Sequence, residues 1–330
     1  MRLPFSIPQH DAAPFDIVTL GLNSVDLVAL VEHYPASNSK QQLHQFVRLP
    51  GGQSATAAAV CARLGWRTRY IGSFGDDDLA CVGRESLTLE GVDVSEAWNT
   101  PGATSQFAVV IVDASTGERT VLWNRHAGLA IRAEQVSKDA VTSGRMLLVD
   151  CYETTAATQA ARYARAAGMP TVLDVENVRE GIGELLVQID AVIAAQAFPA
   201  ALTGYGDPGR AVAAIAREFG SPLVAVTLGA EGSLALCGGR EYRTPAFTVT
   251  CVDSTGAGDA FHGGFMAACL RDPGTTVEDA MRYANAVAAL NCRALGARGG
   301  MPAPDEVEAL LAQPCRRSEA NRASARFIPT

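Results

Sequence analysis

Short, almost continuously apolar runs alternate along the chain with segments of helical spacing. The helical segments are rich in small residues, and several of them end in glycine. The apolar runs have the length of strands that are buried on both faces. The runs cover 15–21, 68–75, 145–150, 171–176, 190–195 and 222–229, and the helical segments cover 54–65, 79–91, 154–168 and 209–220. This order predicts a mainly parallel sheet with helices on both sides.

Two regions depart from that alternation. The segment 106–123 consists of two β-rich runs around the polar stretch DASTGE, which is typical of a hairpin. The segment 25–52 also alternates between apolar and polar residues and lacks helix caps. We expect both to form a small β-element over one edge of the main sheet.

Composition and charge exclude several classes of protein. The net charge of -8 and the lack of a long basic run argue against nucleic-acid binding. No signal peptide is recognisable, and no run of about 18 apolar residues predicts a membrane span. The 8 cysteines are scattered without a C-x-x-C pair, which favours buried thiols in a reducing cytoplasm over a zinc site.

The stretch VDSTGAGDAFHGGF, residues 252–265, carries the clearest chemistry. Gly256 and Gly258 allow the backbone to approach a ligand closely, and the N–H groups of the following helix favour an anion. Asp259 would repel a bound phosphate, so it fits better as a base that takes a proton from an attacking hydroxyl. The alternative is a helix cap with packing glycines. Neither the dinucleotide fingerprint nor the Walker motif matches.

With LPGGQSATAAAVCARLG (49–65) and IGSFGDDD (71–78), the chain resembles the PfkB, or ribokinase-like, family of carbohydrate kinases over roughly 15–312. The resemblance implies an α/β three-layer sandwich, with a mainly parallel central sheet flanked by helices and a small β-sheet lid. It implies one kinase domain at 15–315, with lid segments at about 25–50 and 106–124, followed by a polar tail at 316–330. Ketohexokinases and sulfofructose kinases are the members most similar to it.

The implied activity is ATP-dependent phosphorylation of a hydroxyl of a small sugar or sugar-like alcohol. In that interpretation Asp259 is the base, and the backbone of Gly256, Ala257 and Gly258 forms an anion hole. Thr56 stands where many members have asparagine. The expected substrate-binding residues are Asp26, Gly51, Gly52, Thr56, Asp150 and Glu153, and the expected ATP-binding residues are Thr227, Gly229, Gly232 and Asn285.

The metal sites are less clearly marked. Many members carry N-x-x-E after the strand at 190–195, where this chain has Gln196 and Pro199. Magnesium would then rely on Asp174 or Glu176, although an acid that ends a strand is also an ordinary capping residue. The stretches 252–255 and 294–300 correspond to a potassium site in several members, with Asp253 as the charged ligand. The alternative is that they are ordinary helix-end loops.

Further predictions concern the substrate and the partner. Tyr152 replaces an arginine that sulfofructose kinases use for the sulfonate, which favours a neutral sugar, although Arg125 and His126 offer positive charge from the lid.

A homodimer through an apolar lid face is expected, with Val28, Leu30, Val110 and Val112 as candidates. Asp76–Asp78 are interpreted as helix-capping acids, His262 as a packing residue, and Trp123 as the only tryptophan placed to stack on a substrate. A nucleoside kinase and a catalytically silent binding protein remain alternatives.

Overall fold

The computed structural model of the protein describes residues 1–115 and 119–313. Strands and helices alternate there as the apolar pattern predicts. The strands are β1 (Ile17–Leu20), β2 (Ser24–Val31), β3 (Gln45–Gly51), β4 (Thr68–Ile71), β5 (Ser73–Phe74), β6 (Trp98–Asn99), β7 (Phe107–Asp113), β8 (Arg119–Asn124), β9 (Met146–Asp150), β10 (Thr171–Val175), β11 (Ala191–Ala194), β12 (Leu223–Thr227), β13 (Ser233–Cys237) and β14 (Arg240–Thr244). The helices are α1 (Gln53–Arg63), α2 (Asp78–Leu89), α3 (Lys138–Val141), α4 (Thr154–Ala166), α5 (Ile182–Leu186), α6 (Phe198–Thr203), α7 (Pro208–Phe219), α8 (Ala257–Arg271), α9 (Val277–Asn291) and α10 (Pro304–Leu311).

The main sheet has eight strands in the order β14-β13-β12-β11-β10-β9-β1-β4. The strands from β12 to β4 pair in parallel, while β13 and β14 pair antiparallel at the end of the sheet. The chain leaves β1 to form β4 on one side and later returns to form β9 on the other. In open parallel sheets, ligands bind where the strand order reverses in this way, at the carboxyl ends of the strands.

Helices cover both faces of this sheet, because successive side chains of each strand point to opposite sides. On β9, Met146 and Leu148 belong to the apolar cluster that includes α1, α8 and α9, and Leu147 and Val149 to the cluster with α4, α5 and α7. Two glycines let α8 approach its neighbours. A Cβ at Gly263 would lie 2.7 Å from Val60 Cγ1 on α1. The glycine pair in HGGF is therefore needed for helix packing.

The lid is a separate four-stranded sheet in the order β3-β2-β7-β8. The β2–β3 and β7–β8 pairs are antiparallel, and β2 and β7 pair in parallel. The small sheet predicted from 25–50 and 106–124 is thus confirmed, and so are both strands of the hairpin. Part of the DASTGE turn, 116–118, lies outside the described residues. On its inner face the lid has a small apolar cluster that includes Leu49 and contacts Leu295 of the main body.

The predicted apolar dimer face is wrong, because its four residues lie on the same face of the lid sheet as Asp26. Val28 and Val110 are buried in the cluster between the lid and the body, and Leu30 and Val112 are not among the strongly exposed apolar residues. The strand register explains this. Val28 and Leu30 alternate with Asp26 along β2 and pair with Val110 and Val112 of β7, so they face the same side of the sheet as Asp26. The lid's exposed large apolar side chains are instead Phe46 (53%), Val121 (48%), Leu122 (56%) and Trp123 (61%).

The remaining predictions divide between confirmed and untested ones. The run 68–75 forms two strands, β4 and β5, and the second pairs with β6. The 7 cysteines in the described part of the chain are free thiols, and four of them are buried as predicted, whereas Cys81 and Cys251 are exposed. None of the helices between residues 1 and 313 that the structure describes is both long and apolar enough to span a membrane. The predicted polar tail, 316–330, and Cys315 lie outside the described residues.

Candidate active site

The segment 252–265 opens α8 with a glycine in the left-handed conformation. Gly256 has φ 73° and is the N-cap of the helix, which has no side-chain cap bond. A Cβ at Gly256 would lie 2.3 Å from the Ala297 carbonyl oxygen, so only glycine fits this turn. Gly258 faces open space, since a Cβ there would meet nothing within 4 Å. Among the backbone N–H groups of the predicted anion hole, that of Ala257 donates to the Ser254 carbonyl oxygen at 3.3 Å.

Asp259 lies in the first turn of α8 and is half-buried. Burial raises the pKa of its carboxyl to about 8, and the negative charges of Asp174 and Glu176 add to this, while His262 and Arg298 act in the opposite direction. A capping carboxylate would bond backbone N–H groups, and that would lower its pKa. The glycine cap and the raised pKa therefore argue against the helix-cap interpretation.

His262, one turn further along α8, is held between backbone carbonyls. Its Nδ1 lies 2.7 Å from Gly258 O and its Nε2 lies 3.2 Å from Ile193 O. Nδ1 is also 3.4 Å from Asp174 Oδ2. Burial lowers the pKa of the imidazole. This geometry agrees with the predicted packing role, because both nitrogens already have partners on the protein.

Three acids follow the carboxyl ends of neighbouring strands. Asp150 is buried at the end of β9 and accepts from Leu22 N (2.6 Å), Ser54 Oγ (2.7 Å) and Tyr152 N (3.0 Å), so both oxygens hold the loops after β1 and β9. Asp174 on β10 is buried, and its pKa is raised well above the ordinary value by burial and by Asp150 and Glu176. Burial also raises the pKa of Glu176.

Gln53 Nε2 is 3.3 Å from Asp174 Oδ1, whereas Asp174 Oδ2 is buried without a hydrogen-bond partner. An orphaned carboxylate oxygen within a group of mutually repelling acids suits a hard cation such as Mg²⁺. Within the described residues, no group of three or more His, Cys, Asp and Glu side chains is arranged to hold a metal by itself. Magnesium would thus need oxygen ligands from outside the protein as well.

The sugar side of the cleft brings a lid strand to the glycine pair before α1. Asp26 on β2 is buried, and burial raises the pKa of its carboxyl to about 6. A Cβ at Gly51 would lie 2.9 Å from Asp26 Oδ2, and one at Gly52, which has φ 90°, would lie 2.4 Å from Asn23 Cα. Gly51 is therefore needed for close approach of the chain to this acid, and Gly52 for close approach to the backbone of Asn23.

Arg298 also lies here, and the sequence interpretation missed it. Its Nε donates to Thr56 Oγ1 at 3.2 Å, and its Nη2 donates to Gly51 O at 2.9 Å. The side chain is 8% exposed. The only signal in the sequence was its place in ALGARGG, the stretch that was interpreted as a cation loop.

That loop does meet the 252–255 stretch, as predicted. Asp253 Oδ2 accepts from Gly296 N at 2.8 Å, and its Oδ1 accepts from Thr255 N (2.9 Å) and Thr255 Oγ1 (2.7 Å). Arg119 of the lid lies 3.9 Å from Oδ1. Both oxygens of Asp253 are thus used to hold the two loops together.

The lid supplies a second contact to the body beside the cleft. Arg125 donates to the carboxylate of Glu153 and, at 3.1 Å, to Leu129 O. Burial raises the pKa of Glu153, although Arg125 opposes this. The guanidinium carbons of Arg125 and Arg179 lie 5.7 and 4.1 Å from the centre of the Tyr152 ring. His126, which was expected to offer positive charge, follows the last lid strand, and its Nδ1 accepts from Gly128 N.

The predicted nucleotide residues gather at the far end of the sheet. Thr227 ends β12, and Gly229 and Gly232 have φ 57° and 94° in the turn to β13. A Cβ at Gly232 would lie 2.1 Å from Thr244 O. Asn285 is buried on α9 and its Nδ2 donates to Ser233 Oγ and Thr244 O, both at 3.1 Å. Its side chain thus holds this turn in place, and a contact with adenine stays a prediction.

Asp77 confirms the capping interpretation of the three consecutive acids. Its carboxylate accepts from Ala80 N at 3.0 Å as the N-cap of α2. The same carboxylate accepts from Ser105 N at 2.9 Å and Ser105 Oγ at 2.7 Å. These bonds lower the pKa of Asp77 and leave it no role in the cleft.

A family comparison decides what this arrangement is. The pfkB family of carbohydrate kinases matches residues 15–304. The chain belongs to this family. The kinase is 30% identical over 300 residues to an ATP-dependent ribose-1-phosphate kinase of Halopiger xanaduensis, covering 90% of this chain and 98% of the relative. It is 26% identical over 305 residues to the ribokinase of Mus musculus, covering 89% and 94%.

Solved structures agree with this assignment. The kinase superposes on a putative ribokinase from Agrobacterium tumefaciens with a TM-score of 0.84 at 25% identity, covering 90% of this chain and 97% of the other. The TM-score is 0.79, also at 25% identity, with Arabidopsis thaliana ribokinase complexed with ribose and ATP, covering 91% and 99%. The predicted family, ribokinase-like fold and sugar kinase activity are thereby confirmed.

Proposed function

We propose that this kinase transfers the γ-phosphoryl group of ATP to a hydroxyl of a small neutral sugar, with Asp259 as general base. One observation carries the proposal. Asp259 lies in the first turn of a helix that a left-handed glycine already caps, so its carboxyl is not needed as a cap. Burial among other acids makes that carboxyl a stronger base than an ordinary aspartate.

In the proposed reaction, Asp259 takes the proton of the attacking hydroxyl as its oxygen forms a bond to the γ-phosphorus. The bond from phosphorus to the leaving β-phosphate oxygen breaks in the same displacement. The backbone N–H groups at the start of α8 neutralise charge on the phosphoryl oxygens. Asp174 and Glu176 would hold Mg²⁺, which supplies further charge neutralisation on the phosphates.

A neutral sugar suits the charges around the acceptor site. Asp26 and Asp259 present carboxylates to it, and these would repel an anionic group. Arg125 is engaged by Glu153 and does not offer a free guanidinium. The lid then excludes water from the site of phosphoryl transfer. Trp123 lies on the same face of the lid sheet as Asp26, because both residues pair with Ala108 of the strand between them. We further propose that residues 15–315 act as one kinase domain in the cytoplasm.

Two finer proposals concern the assembly and a monovalent cation. The edge strand β8 leaves Leu122 exposed on the face opposite Trp123, which supports a homodimer through the lid. Potassium beside Asp253 stays a prediction, since the carboxylate is already engaged by Thr255 and Gly296. Replacing potassium with tetramethylammonium in the assay tests it, and unchanged activity would leave these loops with a structural role alone.

The main test is a coupled assay for ADP release with D-ribose, D-fructose, ribose 1-phosphate and adenosine as acceptors. We expect ADP release with a neutral sugar, and loss of most of kcat in Asp259→Asn. Turnover of adenosine alone would assign the chain to the nucleoside kinases of the family. No turnover with any acceptor, together with sugar binding, would favour a catalytically silent binding protein.

A further inference from the structure

Arg298 is a buried cation held only by neutral groups. Besides Thr56 and Gly51, it contacts Ser86 on α2, whose Oγ accepts from Nη1 at 2.9 Å. A guanidinium has five N–H donors, and these three bonds use one donor of each nitrogen. One N–H on each terminal nitrogen is left for a further acceptor.

The charge of Arg298 also lacks a direct partner. No carboxylate of residues 1–115 and 119–313 forms an ion pair with it in the structure, although Asp259, Asp26 and Glu90 act on it from a distance. Burial lowers its pKa to about 10, so it remains a cation at neutral pH. A buried cation is costly unless it is paired or fully hydrogen-bonded. Its two remaining N–H donors are therefore available to a further acceptor.

Gly51 is the residue that Arg298 and Asp26 share. The Gly51 carbonyl accepts from Arg298, and Asp26 Oδ2 lies close to the α-carbon side of the same residue. The Asp26 carboxylate and the Arg298 guanidinium thus both lie beside Gly51 and do not form an ion pair with each other. A hydroxyl between them has the right chemistry, since it donates its hydrogen to the acid and accepts a hydrogen from the guanidinium.

We propose that Arg298 is a substrate-binding residue that donates to a sugar hydroxyl oxygen while Asp26 accepts the hydrogen of the same hydroxyl. This inference rests on the proposed function, because it takes the cleft at Asp26 and Gly51 as the sugar site. Thr56 contributes by accepting from Nε, which fixes the plane of the guanidinium. The two flanking acids make a neutral hydroxyl a better occupant than an anion.

The experiment measures sugar binding without ATP, by calorimetry, in the wild type, Arg298→Met and Arg84→Met. Arg84 is a matched control, since it also donates only to neutral oxygens, those of Val94, Ala97 and Asn99, outside the cleft. We expect Arg298→Met to weaken binding of D-ribose or D-fructose about 10- to 100-fold. Arg84→Met should change it less than about threefold, and ATP affinity should be unchanged in both variants.

Monodeoxy analogues of the better-binding sugar then distinguish a direct contact of Arg298 with a sugar hydroxyl from a purely structural role of Arg298. At one position, loss of the hydroxyl should cost the wild type about tenfold in affinity and Arg298→Met much less, because the partner is already gone. Equal losses in both proteins at every position would overturn the proposal. Arg298→Lys keeps the charge and should recover part of the coupling, and it serves as the test protein if Arg298→Met does not fold.

Two other results would also overturn it. Unchanged sugar affinity in Arg298→Met would show that the guanidinium does not contact the sugar. Tight binding of ribose 1-phosphate that is lost in Arg298→Met would show that it holds a phosphate instead. Failure of the proposed function has a different signature: the wild type would bind the sugar, with the Arg298 coupling intact, and still release no ADP.

Discussion

Arg125 at the end of the lid hairpin donates to Glu153 at the start of α4, and both side chains are largely buried, at 14% and 15% exposure. This ion pair fastens the lid to the body beside the candidate sugar site. The same guanidinium also donates to Leu129 O and Gln106 Oε1, so its position is fixed from three sides.

We predict that Arg125→Met raises KM for the sugar about 10- to 100-fold, because Glu153 loses a charge-assisted bond and is left without its counter-charge. Arg271 is the control, since it ends α8 and pairs with Glu308 on α10, and Arg271→Met should leave KM unchanged. The double variant Arg125→Met/Glu153→Gln should cost less than the sum of the single changes. Additive effects in initial-rate measurements would contradict a functional pair.

Asp259→Asn should lower kcat about 10²- to 10⁴-fold while ATP still binds. Asp279→Asn is the matched control, because Asp279 is also a first-turn acid but bonds its N-cap, Thr276. That control should keep its full kcat. If both variants retain most of their activity in steady-state assays, Asp259 is not the base.

The same variant should change stability with pH. The pKa of Asp259 is raised from 3.8 to about 8 in the folded protein, so the folded state holds a proton that the unfolded state has lost. Raising the pH from about 4 to about 8 therefore destabilises the wild type. The melting temperature of Asp259→Asn should exceed that of the wild type by an amount that grows over this range. A constant difference would show that the pKa is not raised.

The pH dependence of kcat/KM should reflect two acids of the free enzyme. Between about pH 6 and 8 the rate constant should rise about tenfold per unit as Asp259 loses its proton, and then level off. Below about 6 the slope should steepen, because Asp26 is protonated as well. Asp26→Asn should remove the steeper part alone. A profile that is flat from pH 6 to 8 would mean that Asp259 is already ionised in the free enzyme.

Gly256 and Gly258 form a matched pair for testing the start of α8. Gly256→Ala should lower the melting temperature strongly, since its Cβ would collide with Ala297 at a positive φ. Gly258→Ala should leave stability equal or higher, because alanine is the better helix former by about 1 kcal/mol. Thermal melts of the two variants that coincide would contradict the left-handed cap.

The lid dimer predicts that Leu122→Asp makes the kinase monomeric, because a charge on the exposed face of β8 opposes its burial against a second lid. Leu89 is the control, since it is 86% exposed at the end of α2, outside the lid sheet, and Leu89→Asp should remain dimeric. Sedimentation velocity at micromolar concentration measures both. A monomeric and fully active wild type would remove the dimer.

Local patterns were sufficient for the central sheet and for the start of α8. Runs such as 145–150 and 171–176 are apolar throughout, which specifies strands buried on both sides, and the glycines at 256 and 258 mark a tight approach. No strand is predicted for β13 or β14, which follow the expected ATP-binding residues Gly229 and Gly232.

Long-range relationships could not be predicted in the same way. Arg298 meets Thr56 across 242 positions of the chain, and nothing near either residue indicates the other. The apolar face of the lid depends on the register between β2 and β7, which a pattern of alternation leaves open. Val28 therefore fitted an exposed face in sequence and is buried in the structure.

Asp26 lies on a strand of the lid, whereas Asp259 lies on a helix of the body. The acid that binds the acceptor thus belongs to the lid sheet, and the acid that activates it belongs to a helix of the main body. Mutations that reshape the lid sheet alter the acceptor's surroundings and leave the phosphate-facing helix untouched. During the divergence of such a kinase, substitutions in 25–50 and 106–124 provide one route to a new acceptor while the chemistry is inherited unchanged.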